Sequence, residues 1–145
     1  MGDPFVWQLR VYWEDTDGGG VVYHSRYLNF FERARTEWLR SMGMVQSRLV
    51  AEENLVFVVR RMEIDFFRPA RMDDELAVSV HSVRPGGSKM EFAQEMLRRS
   101  DGVLLASAEV TAACLAADTF RPVRLPGWIR EKMQDNLAGA DNNAE

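Results

Sequence analysis

The chain is poor in cysteine: Cys114 is alone among 145 residues. One thiol excludes an intrachain disulfide framework and a cysteine-rich zinc site. Long apolar runs are also missing, and none approaches the length of a membrane span. The opening MGDPFVWQLR has no basic segment leading into an apolar one, so no secretory signal is expected. Gly2 invites myristoylation, but that pattern needs Ser or Thr at position 6, where Val6 stands. Positive charge is not in excess: 18 basic residues face 22 acidic ones, for a net charge of −4. This mild acidity argues against a nucleic-acid partner, although local basic groups can still hold a small anion. There is no internal repeat and no linker between two domains. These absences lead to the expectation of a cytoplasmic chain with no stable membrane insertion.

What is present is enough for one core. Hydrophobic residues make up 46% of the chain, well above a disordered composition. Phe5 to Trp13 alternates polar and apolar side chains and predicts a first strand. Glu14 to Gly20 is a loop. A helix is expected from near Ser25, a candidate N-cap, with Tyr27, Phe31, Ala34, Trp38 and Met42 as its apolar stripe. Arg33 and Glu37 form a candidate i,i+4 pair on its wet side, and Gly43 is its expected stop.

Phe57 to Phe67 predicts a strand with Val58, Arg60, Met62, Ile64 and Phe66 on one face and Glu63 and Asp65 on the other. Leu76 to Val80, Met90 to Met96 and Val103 to Ala117 predict three more, with turns at RPGGSK and SDG. Trp128, Ile129, Met133 and Leu137 have the spacing of a short amphipathic helix, and AGADNNAE reads as frayed. The expected order is strand, loop, long helix, then four strands joined largely by hairpins. That is an α+β fold, one long helix wrapped by an antiparallel sheet of about five strands. Its single domain is expected over residues 1–130, followed over 131–145 by a helix remnant and a disordered tail.

The chemistry gathers at EDTDGGGVVYH. Asp17 precedes three glycines, where backbone N–H groups can come close to a ligand. The segment then enters a helix near His24 and Ser25, and a helix N-terminus carries unpaired N–H groups and partial positive charge. Such donors can stabilise a carbonyl oxygen as it becomes negative. A carboxylate beside them suits hydrolysis of an activated acyl group, with Asp17 as nucleophile or general base. On pattern alone, acids that satisfy a helix dipole and shape a turn remain the more ordinary explanation. A calcium loop on Asp15, Asp17 and Gly20 fails where Arg26 replaces the required Glu. A phosphate loop fails for want of a Lys-Ser or Lys-Thr pair after the glycines. A metal site on Asp15, Asp17 and His24 is a weaker alternative.

The stretch RVYWEDTDGGGVVYHSRYLNFFERARTEWL resembles the YbgC-type acyl-CoA thioesterases. These are associated with the Tol-Pal system in many bacteria and fall in the 4-hydroxybenzoyl-CoA thioesterase group of the hotdog superfamily. FRPARMDDEL and RPVRLP support the match, which runs from Val11 to Pro126. Gly18 stands where this family often has Ala. The resemblance implies a hotdog fold, homodimers that often pair into homotetramers, and active sites at the subunit interface. It implies hydrolysis of an acyl-CoA to free acid and CoA, with CoA as part of the substrate, no separate cofactor and no metal. Asp17 occupies the family's catalytic carboxylate position. The backbone N–H of His24 falls where the family polarises the thioester carbonyl, and its side chain matches a position implicated in catalysis. Gly20 and Tyr23 would shape the substrate pocket. An acyl carrier protein thioesterase, a dehydratase on the same fold, and a non-catalytic acyl binder or partner of Tol-Pal-linked envelope proteins are the competing readings. EDTDGGGVVYH does not resemble the dehydratase pattern.

Other residues carry weaker signals. Arg84 and Lys89, in a glycine turn, are candidates for the CoA phosphates, against an ordinary solvated turn. Asp15 is expected to shape the loop, His81 to be a strand or interface residue, and Cys114 and Trp38 to lie in the core. Arg60 and Arg61 are expected to pair with acids or face solvent.

Overall fold

A helix of 18 residues lies against one face of a five-stranded antiparallel sheet. The structure is a computed structural model and describes residues 4–135. In chain order the elements are β1 (Phe5–Arg10), a 3-10 turn (Trp13–Asp15), α1 (His24–Ser41), α2 (Gln46–Glu53), β2 (Leu55–Phe66), β3 (Glu75–Ser82), β4 (Lys89–Arg98), β5 (Leu104–Ala116) and α3 (Gly127–Gln134). The sheet order is β1-β3-β4-β5-β2. This is the α+β hotdog arrangement that the sequence motifs imply.

The apolar stripe of α1 is the centre of the core. Tyr27, Phe30, Phe31, Ala34, Trp38 and Leu39 are buried along it, while Met42 at its end is only half-buried. Trp38 meets Phe92 of β4 edge to face at 5.3 Å, and Tyr27 meets Phe66 of β2 in the same way at 5.1 Å. Such ring pairs add directional stabilisation to the burial of large apolar area. The helix stops where Gly43 takes a φ of +86°, which glycine adopts without steric cost. Glu37 pairs with Arg40 at 3.3 Å, in place of the expected Arg33.

Strand boundaries follow the ladders. β1 ends at Arg10 because its partner β3 begins at Glu75, the residue opposite; Tyr12 and Trp13 therefore leave the expected strand. In β2, Val59 pairs with Ala112 but Arg61 pairs with Thr111, so Arg60 is the extra residue of a bulge. The bulge reverses the side-chain alternation. Val58, opposite Ala113, is thus on the other face from Met62, Ile64 and Phe66, which correct the single face expected from sequence. The expected hairpins join β3 to β4 and β4 to β5, and the connection from β2 to β3 is the exception. Only β3, β4 and β5 form a meander, and β2 pairs with β5 at the far edge. Residues 67–74 must therefore cross from β2 to β3 over the end of the sheet. The two-turn helix α2, with only Leu49 buried, has too weak a periodicity to be expected from sequence. Ile129 and Met133 of α3 are fully buried in the same core. Leu137 and AGADNNAE lie outside the described residues.

Two packing details lead to expected results. The Tyr27 hydroxyl is buried and accepts a hydrogen bond from the Ala70 N–H at 2.9 Å. Tyr27→Phe strands that donor, at a cost of about 1–3 kcal/mol. Thermal denaturation should show Tm lower by roughly 3–10 °C; an unchanged Tm would mean that Ala70 needs no partner there. Cys114 is sealed opposite Phe57, and burial pushes its thiol pKa up to about 11. A disulfide-exchange reagent at mildly alkaline pH should therefore label it only in denaturant. Rapid labelling of native protein would contradict this burial.

Candidate active site

The acidic loop is built by short-range hydrogen bonds that treat its acids differently. Asp15 is 5% exposed, and its Oδ2 accepts the Tyr12 N–H at 2.9 Å. Arg26 Nε stands 3.8 Å from Asp15 Oδ1, and the Asp15 carbonyl accepts the Tyr23 N–H at 3.0 Å. Asp15 therefore shapes the loop, as expected. Asp17 is exposed, and its Oδ1 accepts the Gly19 N–H at 2.7 Å, which closes a local turn. Among the described residues Oδ2 has no partner. Gly18 and Gly20 have φ of +93° and +88°, and a Cβ on Gly19 would lie 3.2 Å from Asp17 Oδ1. Here the glycines are required by backbone geometry and by the closeness of the carboxylate.

A strap from the β2–β3 crossover holds this loop in place. The Ala70 carbonyl accepts the Val22 N–H at 2.8 Å, the Gly20 carbonyl accepts the Met72 N–H at 3.0 Å, and Val21 bridges Arg71. Arg98 braces the strap from behind, with Nη2 donating to the Pro69 carbonyl at 3.1 Å and Nε to Asp74 Oδ2 at 3.2 Å. The glycine loop is thereby a second, tertiary layer of hydrogen bonds and not a free surface turn.

The N-cap of helix α1 lies two residues earlier than expected. Tyr23 is its N-cap, with extended φ −68° and ψ 139° and no side-chain capping bond, so Ser25 is already inside the first turn. His24 is the first helical residue, and its N–H finds no acceptor among the described residues. Its ring is exposed and lies 4.4 Å from the ring of Tyr23. An uncapped N-terminus keeps both its donors and its partial positive charge available. A wide cleft of about 620 Å³ opens here, lined by Glu14, Thr16, Asp17, Tyr23, Ser25, Arg26 and Asn29. Sequence reading did not single out Arg26 or Asn29; their place one helical turn apart, beside Tyr23, was the available signal.

Asp17, Gly20, Tyr23 and His24 thus share one segment of the fold. Arg84 and Lys89 do not join them within the chain. They follow the Ser82 end of β3, whereas the strap and glycine loop sit at its Glu75 end, about 25 Å away along the strand. Arg84 pairs with Glu91 at 3.2 Å and lines a separate polar cavity of about 250 Å³ on the outer sheet face, with Arg61, Glu63 and Glu109. Arg61 pairs with Glu63 at 2.8 Å. His81 is half-buried opposite Ala93, also toward the far end of β3. Among the described residues no group of three or more His, Cys, Asp or Glu side chains is placed to hold a metal ion, and no helix is long and apolar enough to cross a membrane.

Comparison with known proteins gives a consistent picture. Residues 11–133 match the thioesterase-like superfamily. The acyl-CoA thioesterase YbgC of Haemophilus influenzae is 43% identical over 130 residues, which cover 90% of this chain and 94% of that protein. Its namesake from Helicobacter pylori is 46% identical over 131 residues, covering 86% and 96%. Among solved structures, a 1,4-dihydroxy-2-naphthoyl-CoA thioesterase from Synechocystis superposes with a TM-score of 0.84 at 26% identity, covering 92% of this chain and 97% of its own. A probable thioesterase from Bartonella henselae gives 0.79 at 41% identity, covering 86% and 100%. The matched stretch takes in the glycine loop, the strap, the long helix and every strand from β2 to β5, and on that extent the chain belongs to the thioesterase-like superfamily.

Proposed function

We infer that this protein hydrolyses acyl-CoA thioesters to free carboxylic acids and CoA, with Asp17 as the reacting carboxylate and the His24 N–H as oxyanion donor. The observation that carries this reading is the pairing, in one braced segment, of a carboxylate with a free oxygen and a helix-terminal N–H without an acceptor. The family membership supplies the reaction type; the loop supplies groups that can perform it.

A thioester carbonyl bound with its oxygen at the His24 N–H is polarised by the donor and by the helix field. Asp17 then acts in one of two ways. Its carboxylate attacks the carbonyl carbon, the C–S bond breaks to release CoA thiolate, and water hydrolyses the resulting anhydride. Alternatively, it takes a proton from a water that attacks the carbon directly, and the C–S bond breaks from the tetrahedral intermediate. Either way one water is consumed and the thiolate leaves as a comparatively stable anion. Tyr23 lines the cleft where the reacting group would sit, whereas Gly20 is not part of that lining and ties the loop to the strap.

The cleft beside Asp17 is open on one side, and a homodimer or homotetramer would close it. Strand β2 supports this: it is an edge strand of 12 residues, and Val59, Phe66 and Phe67 on or beside it are about half-exposed. A second chain is also the route by which Arg84 and Lys89 would reach the CoA phosphates. A panel of aliphatic and aromatic acyl-CoA thioesters, with the same acyl groups on acyl carrier protein, tests the function by thiol release. Turnover of at least one CoA thioester is expected. Hydrolysis confined to the carrier protein, or no hydrolysis at all, would overturn the reading in favour of a carrier-protein enzyme or a non-catalytic acyl binder.

A further inference from the structure

Arg98 is not among the residues that line the cleft at Asp17, yet both groups proposed to react there hang on what it holds. It is the last residue of β4, and its side chain is only 18% exposed. Its backbone is pinned in the β4–β5 turn, where its N–H donates to the Val103 carbonyl at 2.9 Å and its carbonyl accepts the Gly102 N–H at 2.7 Å. All three guanidinium nitrogens are committed. Nη1 donates to Asp101 Oδ2 at 2.7 Å, Nη2 to the Pro69 carbonyl at 3.1 Å and Nε to Asp74 Oδ2 at 3.2 Å. The bonds to the carboxylates, that to Asp101 most of all, raise the Arg98 pKa above its ordinary value.

Two of these three bonds bracket a single residue of the strap, Ala70. Pro69 stands before it. Asp74 Oδ2, the acceptor of Nε, also accepts the Arg71 N–H at 2.9 Å, so the shared oxygen fixes the residue after it. The Ala70 carbonyl in turn accepts the Val22 N–H, two residues before His24 in the chain. Val21 bridges Arg71, and its carbonyl accepts the Asp17 N–H at 3.0 Å. Asp17 and His24 are therefore both suspended from the Val21–Val22 pair, and that pair from Ala70 and Arg71.

We propose that Arg98 is a positioning residue for the reaction: by fixing Pro69 and Arg71 it sets the separation of the Asp17 carboxylate and the His24 N–H. The proposal rests on the roles inferred above for those two groups and adds a residue that touches neither. The tolerance is small, because a misplacement of about 1 Å can cost about a hundredfold in rate. Lysine is no substitute here, since one compact ammonium on a flexible stem cannot meet three acceptors arranged around a planar fork.

Arg98→Lys is compared with Asp101→Ala, both well below their Tm. The first loses the hold on the strap. The second loses only the bond on Nη1 and leaves Nη2 and Nε where they are. Arg98→Lys is expected to lower kcat for a CoA thioester by about tenfold to a hundredfold, with KM within about threefold of wild type. Asp101→Ala should keep kcat within about twofold. Asp74→Ala removes the shared oxygen and should repeat the loss in kcat, which decides the question if Arg98→Lys does not fold. Amide exchange reads the same link without activity: the Val22 N–H should exchange about tenfold faster or more in Arg98→Lys than in wild type. A wild type without thioester turnover falls on the hydrolase reading, and the exchange rate of Val22 then still decides whether Arg98 holds the loop. Unchanged Val22 exchange, a rise in KM with kcat unchanged, or equal losses of kcat in Arg98→Lys and Asp101→Ala overturns the proposal.

Discussion

Asp17→Asn is expected to lower kcat for acyl-CoA hydrolysis by about a thousandfold or more, with Tm within about 2 °C of wild type. The substitution removes the negative charge and the capacity to attack or to accept a proton. It retains the oxygen that accepts the Gly19 N–H, so the turn should persist. Thiol release and thermal denaturation on the same preparation check both halves. An asparagine before Gly18 is prone to deamidation, which would restore an aspartate. Asp17→Ser is therefore the companion variant, because it cannot recover in that way. Near-wild-type turnover in both would exclude Asp17 as the reacting group. A large loss of Tm alongside lost activity would show that the residue chiefly builds the loop.

The second large effect separates a backbone group from a side chain. His24 is the first helical residue, a position where proline is well tolerated because its N–H is not part of the helix ladder. Tyr23 before it already has the extended conformation that a following proline demands. His24→Pro should therefore keep the helix while deleting the oxyanion donor and the imidazole together. His24→Ala deletes the imidazole alone. His24→Pro is expected to be slower than His24→Ala by about a hundredfold or more, corresponding to about 3 kcal/mol of transition-state stabilisation. Circular dichroism would verify that both helices remain. Equal rates for the two variants would remove the backbone N–H from the mechanism and leave only the ring.

The part of the site that was legible from sequence is the part made by neighbours in the chain. Asp17, the glycines and His24 lie within eight residues, and their roles as carboxylate, turn formers and helix terminus follow from local backbone chemistry. Even the division between Asp15 and Asp17 was readable as a preference, because one acid can satisfy a nearby N–H and leave the other free. The strap was not legible. Nothing in FRPARMDDEL says that the Ala70 carbonyl meets the Val22 N–H, or that Arg98 holds Pro69 from the far side. Arg84 and Lys89 looked suitable by residue type, yet their distance from Asp17 is set by the length of β3.

By itself the sequence determined one long helix with an apolar stripe, the strands that accompany it, and the acid–glycine segment at the helix entrance. Each follows from periods of two or 3.6 residues, or from steric limits that act over a few bonds. Tertiary structure alone decided that β2 pairs with β5, that a bulge at Arg60 reverses the faces of that strand, and that the crossover so created braces the glycine loop. It also decided that Arg35 meets Gln94 under the helix, 59 positions away in the chain. The physical reason is common to all four. Hydrogen bonds and packing between distant segments depend on register, and one extra residue in a strand reverses which side chains face the core without altering any local preference.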